Sequence, residues 1–295
     1  VLGTLGATFF LIGVGLLYAA TGTLNMDDLA VKIPSVENVQ LIHTAFALII
    51  VGLALKAAVY PLHLWLPNAY SYAPSVVSIF LSATATKVAI YVVIRCLFNV
   101  FSLEYVLSTW LPQIMLVLGA VGVLYGSVRA IGQTGMKKML AYSSVAQIGY
   151  MIMGVGFLTQ TGLTASIVHL FNHALMKAAL FMAAGLYIYR VNTATFENLK
   201  GMGREMPYTF FAMVIAALSL IGVPGTVGFV SKWQLISAAL DQEQWGMVII
   251  VLLGSLLAIV YVWKLIEVLY FQSPDKIRVQ GVESGSVRIG YSPIG

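Results

Sequence analysis

The sequence predicts an all-α membrane protein of about eight transmembrane helices, two of them broken. Three observations predict it. Of 295 residues, 60% are hydrophobic and 9% charged, with a mean hydropathy of +0.92, whereas an ordinary soluble domain is about a quarter charged. Eight apolar stretches reach the roughly 20 residues that a helical span requires. Lysine and arginine collect after the fourth, sixth and eighth stretches, as the inside-positive bias demands.

In chain order the stretches are 1–20, 41–60, 74–99, 110–128, 139–158, 163–190, 207–240 and 245–271. The seventh is too long for one straight span. Pro224 and Gly225 interrupt it, which predicts two half-helices. The second is followed by an irregular patch from Tyr60-Pro61 through Pro67 and Pro74. From 272 to 295 the chain turns polar, with glycines and serines, and reads as an extramembrane tail. The chain opens at Val1 inside an apolar run, without Met or a signal peptide, as a piece of a longer protein would.

Orientation follows from the basic residues. Arg129, Lys137 and Lys138 follow the fourth span, Arg190, Lys200 and Arg204 the sixth, and Lys276, Arg278 and Arg288 the eighth. The connections after the fifth and seventh have none, and Asp241 and Glu243 lie in the latter. The ends of even-numbered spans, and Val1, are therefore placed on the cytoplasmic side.

Several chemistries are excluded. Cys96 is the sole cysteine, so disulfide frameworks, CxxC pairs and cysteine-held iron–sulfur clusters cannot form within this chain. The net charge of +5 belongs to inside-positive loops and not to a nucleic-acid surface. There is no phosphate-cradling glycine pattern. A zinc protease needs HExxH, and His169 to His173 reads HLFNH, with Leu170 where the base belongs. A bis-histidine haem lacks a facing ligand, since His43 is the only remote histidine in a span and His63 lies in the loop after it. Gly119, Gly122 and Gly126 have the spacing of close helix packing.

What remains is a set of ionisable residues at membrane depth. His169, His173 and Lys177 are spaced four and four along one stripe of LTASIVHLFNHALMKAALFMAAGLYIYR, with Asn172 beside them. Lys56, Lys87 and Lys232 lie within the second, third and seventh stretches. Such groups are costly in a bilayer and mark pathways by default. Arg95 and Lys264 are closer to span ends, where snorkelling accounts for them. Burial disfavours a charged amine, and imidazole titrates near neutral pH unperturbed, so a buried row of Lys and His has the chemistry of a proton relay. Among eleven acidic residues only Glu267 falls in a span, three residues after Lys264, where a helix-surface pair and a functional role are both open. Breaks beside Lys56 and Lys232, five spans apart, have the layout of an inverted-repeat transporter.

These segments resemble a known family. LALKAAVYPLHLWLPNAYSYAPSVVSIFLSATATKVAIYVVIR, KKMLAYSSVAQIGYMIMG, HLFNHALMKAALFMAAG and GVPGTVGFVSKW occur in the order found in proton-conducting antiporter-like membrane subunits. That family includes the antiporter-like subunits of respiratory complex I, membrane-bound hydrogenase subunits, and the MrpA and MrpD components of Mrp-type Na+/H+ antiporters; PLHLWLPNAYSYAP and ATATKVAIYV are most similar to the MrpD component. The resemblance implies a fold of roughly fourteen helices with two inverted five-helix repeats, of which these eight spans match the sixth to thirteenth. Residues 1–109 would then hold three spans of the first repeat, 110–271 the second repeat, and 272–295 the tail. It also implies a proton relay of Lys56, Lys87, His169, His173, Lys177 and Lys232, with a family glutamate that pairs with the Lys56 position on a helix preceding Val1. By the same resemblance the chain is a proton-translocating subunit of a multisubunit Na+/H+ antiporter or, alternatively, a pumping subunit of an NADH:quinone oxidoreductase or hydrogenase. Its partners would be other membrane subunits of a hetero-oligomer, the lipid bilayer, and protons, with Na+ in the antiporter members. No cofactor, metal or catalytic chemistry is expected in the chain itself, and the location implied is the bacterial cytoplasmic (inner) membrane.

Overall fold

A computed structural model describes residues 2–273. The basic residues of the predicted tail, Lys276, Arg278 and Arg288, and Val1 lie outside them.

The first span is α1 (Leu2–Thr21), followed by the short α2 (Met26–Lys32), whose Asn25 cap accepts from the Asp27 amide. The second is α3 (Val39–Ala57), capped by Asn38 and stopped by Ala58 in the left-handed region. After a turn the chain continues as α4 (Trp65–Tyr72). The third span covers Ser75–Val100. Within it α5 (Ser75–Phe80) and α6 (Thr86–Arg95) are joined by one wide π-type turn, Leu81–Ala85. The short α7 (Leu103–Leu107) leads to the antiparallel pair α8 (Leu111–Ile131) and α9 (Met136–Gly156). The sixth span is α10 (Gln160–Val191), 32 residues long.

After α11 (Met202–Glu205), the seventh stretch forms two half-helices, α12 (Pro207–Ile221) and α13 (Val227–Asp241). Gly222 closes α12 at φ +88° and Gly225 follows at φ +89°, conformations that only glycine adopts without strain. The break thus falls where Pro224 and Gly225 predict it. The eighth span is α14 (Trp245–Ile266), extended by a wide turn to Phe271.

Every residue of α9 from Met139 to Gly156 is buried, which makes it the central post of the bundle. Glycines set its distance from α8: a Cβ on Gly119 would come within 2.8 Å of the Gly149 carbonyl, and one on Gly126 within 2.6 Å of the Ala146 nitrogen. The two backbones approach through bare glycine faces. On its other side α9 runs antiparallel to α10, with the Ser166 hydroxyl on the Met151 carbonyl at 2.9 Å.

The basic connections after the fourth and sixth spans are tied by hydrogen bonds to each other and to the end of the eighth span. Gly135 and Thr195 form an antiparallel bridge. Gly201 donates to the Val268 carbonyl at 3.1 Å, and Arg204 Nε to the Tyr270 carbonyl at 2.6 Å. Lys137 reaches the Ala73 carbonyl at 2.9 Å.

Candidate functional site: a buried row of lysines and histidines

Four helices build the row. The stripe on α10 faces α9, while α6 and α13 bring in one lysine each. Lys87, His169, His173, Lys177 and Lys232 are all buried, and His173 and Lys177 have no exposed surface. Apart from His173, they are held by hydroxyls, a side-chain amide and backbone carbonyls. Lys32 pairs with Asp28 at 2.9 Å in α2, apart from the row.

Lys87 donates to the Ser82 carbonyl. That carbonyl belongs to the π-type turn joining α5 to α6, so the irregular turn offers an acceptor in the span interior, as such turns often do at functional sites. The helix that carries Lys87, α6, packs against both α9 and α10. Lys177 donates to the Leu140 carbonyl at 2.7 Å and to the Ser143 hydroxyl at 2.6 Å, both on α9. His173, one turn back, has no hydrogen-bond partner on either ring nitrogen. Its ring lies parallel to that of His169.

His169 is the most connected member. Its Nδ1 is 2.8 Å from the Ser231 hydroxyl of α13, and its Nε2 is 2.9 Å from Oε1 of Gln147 on α9. Tyr150 stands edge-on to its ring. Lys232 follows Ser231 directly. Its ammonium donates to the Leu220 and Ile221 carbonyls at 3.2 and 2.8 Å and to the Ser255 hydroxyl at 3.0 Å, and sits 4.8 Å from the centre of the Tyr150 ring. The two carbonyls are free because α12 ends there. The break in the seventh span therefore supplies the acceptors for its own lysine. Asn172 tethers the start of α13 through the Val227 carbonyl at 2.7 Å.

Lys56 is not brought into this cluster. It is an exposed residue of the last turn of α3, with its stem beside Gly6 of α1. The row of buried groups therefore begins at Lys87. A helix-surface pair of Lys264 with Glu267 is not formed either. Lys264 donates to the Ile131 and Gln133 carbonyls at 3.0 and 2.7 Å, and Glu267 accepts from Gln272 at 3.2 Å. The open end of α8 attracts the ammonium more effectively than a carboxylate one turn along. His43 packs against Tyr105, apart from the stripe.

The partners of the row do not stand out in the sequence. Ser143 and Gln147 are four apart on α9, the same spacing as the stripe they meet, and Ser231 adjoins a residue already singled out. Polar side chains at helical spacing in an otherwise apolar span are the signal that finds them. His63, assigned to a loop, is buried between Tyr60 and Tyr125, with both nitrogens unpartnered. Among the described residues no group of His, Cys, Asp or Glu has the arrangement of a metal site.

An apolar helical bundle with a polar row along its interior defines a multi-pass membrane protein. The chain belongs to the NADH:quinone oxidoreductase/Mrp antiporter transmembrane family, whose model matches residues 1–258. It is 41% identical over 272 residues to the N-type subunit of the NADH-quinone oxidoreductase of Desulforudis audaxviator, covering 92% of this chain and 54% of that protein. It is 31% identical over 265 residues to the D-type subunit of the Na+/H+ antiporter of Alkalihalophilus pseudofirmus, covering 90% and 53%. A chain in the structure of the Mrp complex from Dietzia sp. superposes with a TM-score of 0.85 at 34% identity, covering 93% of this chain and 50% of that one. The chain thus spans about half the length of the curated relatives it matches.

Proposed function

We propose that this chain is part of a proton-translocating membrane subunit and that Lys87, Lys177, His173, His169 and Lys232 form a relay whose members take up and release protons, coupled by their charge. The observation that carries this is the burial of five basic groups in one row with no carboxylate partner among the described residues. A structural role would favour ion pairs or apolar replacements, because unpaired buried charge is costly. Groups that gain and lose a proton tolerate the site in their neutral form. Charge on one member changes the proton affinity of the next, because screening is poor inside the bundle. Lys56 would serve as a further relay group on the α1 side. A division into three spans of a first inverted repeat (1–109) and five spans of a second (110–271) is supported by the helix breaks at 58–64 and 222–226.

The complex that houses the subunit separates two readings. The Mrp-type Na+/H+ antiporter is supported by the likeness to a chain of the Dietzia complex. A redox-driven proton pump is supported by the higher sequence identity to the N-type subunit of an NADH-quinone oxidoreductase. Other membrane subunits in a bacterial cytoplasmic membrane are the partners in both. Copurifying flavin or iron–sulfur subunits would exclude the antiporter. The relay itself is tested in the full-length protein in vesicles. Lys232→Ala and Lys56→Ala are each expected to abolish proton-coupled transport, and survival of transport in both rejects the assignment.

A further inference from the structure

His169 is the one member of the row whose two ring nitrogens have different and chemically unlike partners. Nε2 meets the amide oxygen of Gln147 at 2.9 Å, and Nδ1 meets the hydroxyl of Ser231 at 2.8 Å. The same hydroxyl has a second neighbour, the Gly228 carbonyl at 3.1 Å one turn back on α13. All three groups are buried.

The two partners restrict the imidazole differently. An amide oxygen is an acceptor only, so it selects the neutral tautomer with the proton on Nε2. A hydroxyl can donate or accept. With one proton to give, Ser231 donates either to Nδ1 or to Gly228. While His169 is neutral, the hydroxyl donates to Nδ1. When a proton binds at Nδ1, the hydroxyl turns to Gly228, and its oxygen accepts from the new N–H. No other group has to move. An amide has no comparable freedom: it cannot pass a proton on, and Nε2 is closed to anything else while Gln147 holds it.

We propose that Gln147 and Ser231 are positioning residues that hold neutral His169 as the Nε2–H tautomer and make Nδ1 the nitrogen at which it takes and returns its proton, on the side of Lys232. This rests on the relay proposed above and refines it. A proton released by the Lys232 ammonium reaches Nδ1 through the Ser231 hydroxyl that occupies it: the hydroxyl passes on its own proton and takes the new one, the amine is left neutral and the imidazole becomes an imidazolium, so charge is conserved. The Tyr150 ring, which touches both partners, walls the pair in. Between His169 and His173, whose ring centres are 6.2 Å apart, the link is then the field of a charged ring and not a proton passed from Nε2.

The test is nitrogen-15 NMR of histidine-labelled full-length protein in lipid, with the His169 signals assigned by their loss in His169→Gln. Wild-type protein is expected to have one neutral tautomer, Nε2–H. Gln147→Met, close in shape but without an acceptor of that strength, is expected to populate both tautomers. Gln147→Glu keeps an acceptor and is expected to retain Nε2–H, which covers the case of a Met variant that does not fold. Ser231→Ala is expected to keep the tautomer but lower proton transport at least about tenfold, a modest share of what a positioned proton-transfer group contributes, and Ser231→Thr to restore it. An Nδ1–H tautomer in the wild type, an unchanged spectrum in Gln147→Met, or no recovery in Ser231→Thr overturns the inference. If His169→Gln transports normally while the tautomer results hold, the relay is what fails. If His169→Gln is inactive while Gln147→Met keeps the wild-type tautomer, the positioning role is what fails.

Discussion

The rings of His169 and His173 lie parallel to within 3°, yet one is bonded at both nitrogens and the other at neither. They are one turn apart on α10 and identical in residue type. Their neighbours differ: Gln147 and Ser231 reach the first, while the second is unpartnered and Lys87 and Lys177 donate elsewhere. His173 is thus a buried polar ring that water, or a passing proton, has to satisfy.

His173→Leu separates these roles. Two unpartnered buried nitrogens each cost about 1–3 kcal/mol if left dry. Thermal denaturation of the variant should give equal or higher stability, whereas proton transport in vesicles should be lost.

Lys177→Arg keeps the positive charge but not the ability to release it, because a guanidinium stays protonated throughout the accessible pH range. Transport should fall as far in Lys177→Arg as in Lys177→Met. Activity in Lys177→Arg comparable to wild type would mean that this lysine serves as a fixed charge.

Gly228→Ala probes the geometry that places Lys232. A Cβ there would overlap the Ser219 carbonyl of α12, and the Gly228 amide donates to the Ser219 hydroxyl at 3.1 Å. The half-helices would be forced apart, at a cost of about 1–3 kcal/mol. Lower thermal stability together with lost transport is expected, even though no ionisable group is changed.

Lys264→Met is the contrasting case. Its ammonium closes the C-terminal end of α8 at Ile131 and Gln133 and lies 5.4 Å from the centre of the Phe196 ring. Loss of these contacts should lower stability by about 1 kcal/mol and leave transport intact.

Much of the architecture is legible in the chain. Hydropathy alone places the spans to within a few residues, and Pro224 with Gly225 marks the seventh break. The stripe on α10 follows from a spacing of four. Less legible was the end of α3: Lys56 has the same apolar surroundings in sequence as Lys87, but it points to the α1 side and is exposed. The Lys264–Glu267 spacing suited a pair, and the competing carbonyls of α8 come from residues more than 130 positions away.

That the protein spans a membrane, where its helices begin and break, which family it belongs to, and which side chains are ionisable at depth can all be read from the chain. These are local properties, since apolar length and helical spacing are read within one segment. What each ionisable group touches depends on the packing of the helices. Gln147, His169 and Ser231 come from three helices, and their meeting depends on how far each helix is rotated and how closely it approaches its neighbours. Contacts such as Gly149 on Gly119 and Gly228 on Ser219 set that approach. Their effect on the distant row is a product of packing, which no single segment encodes.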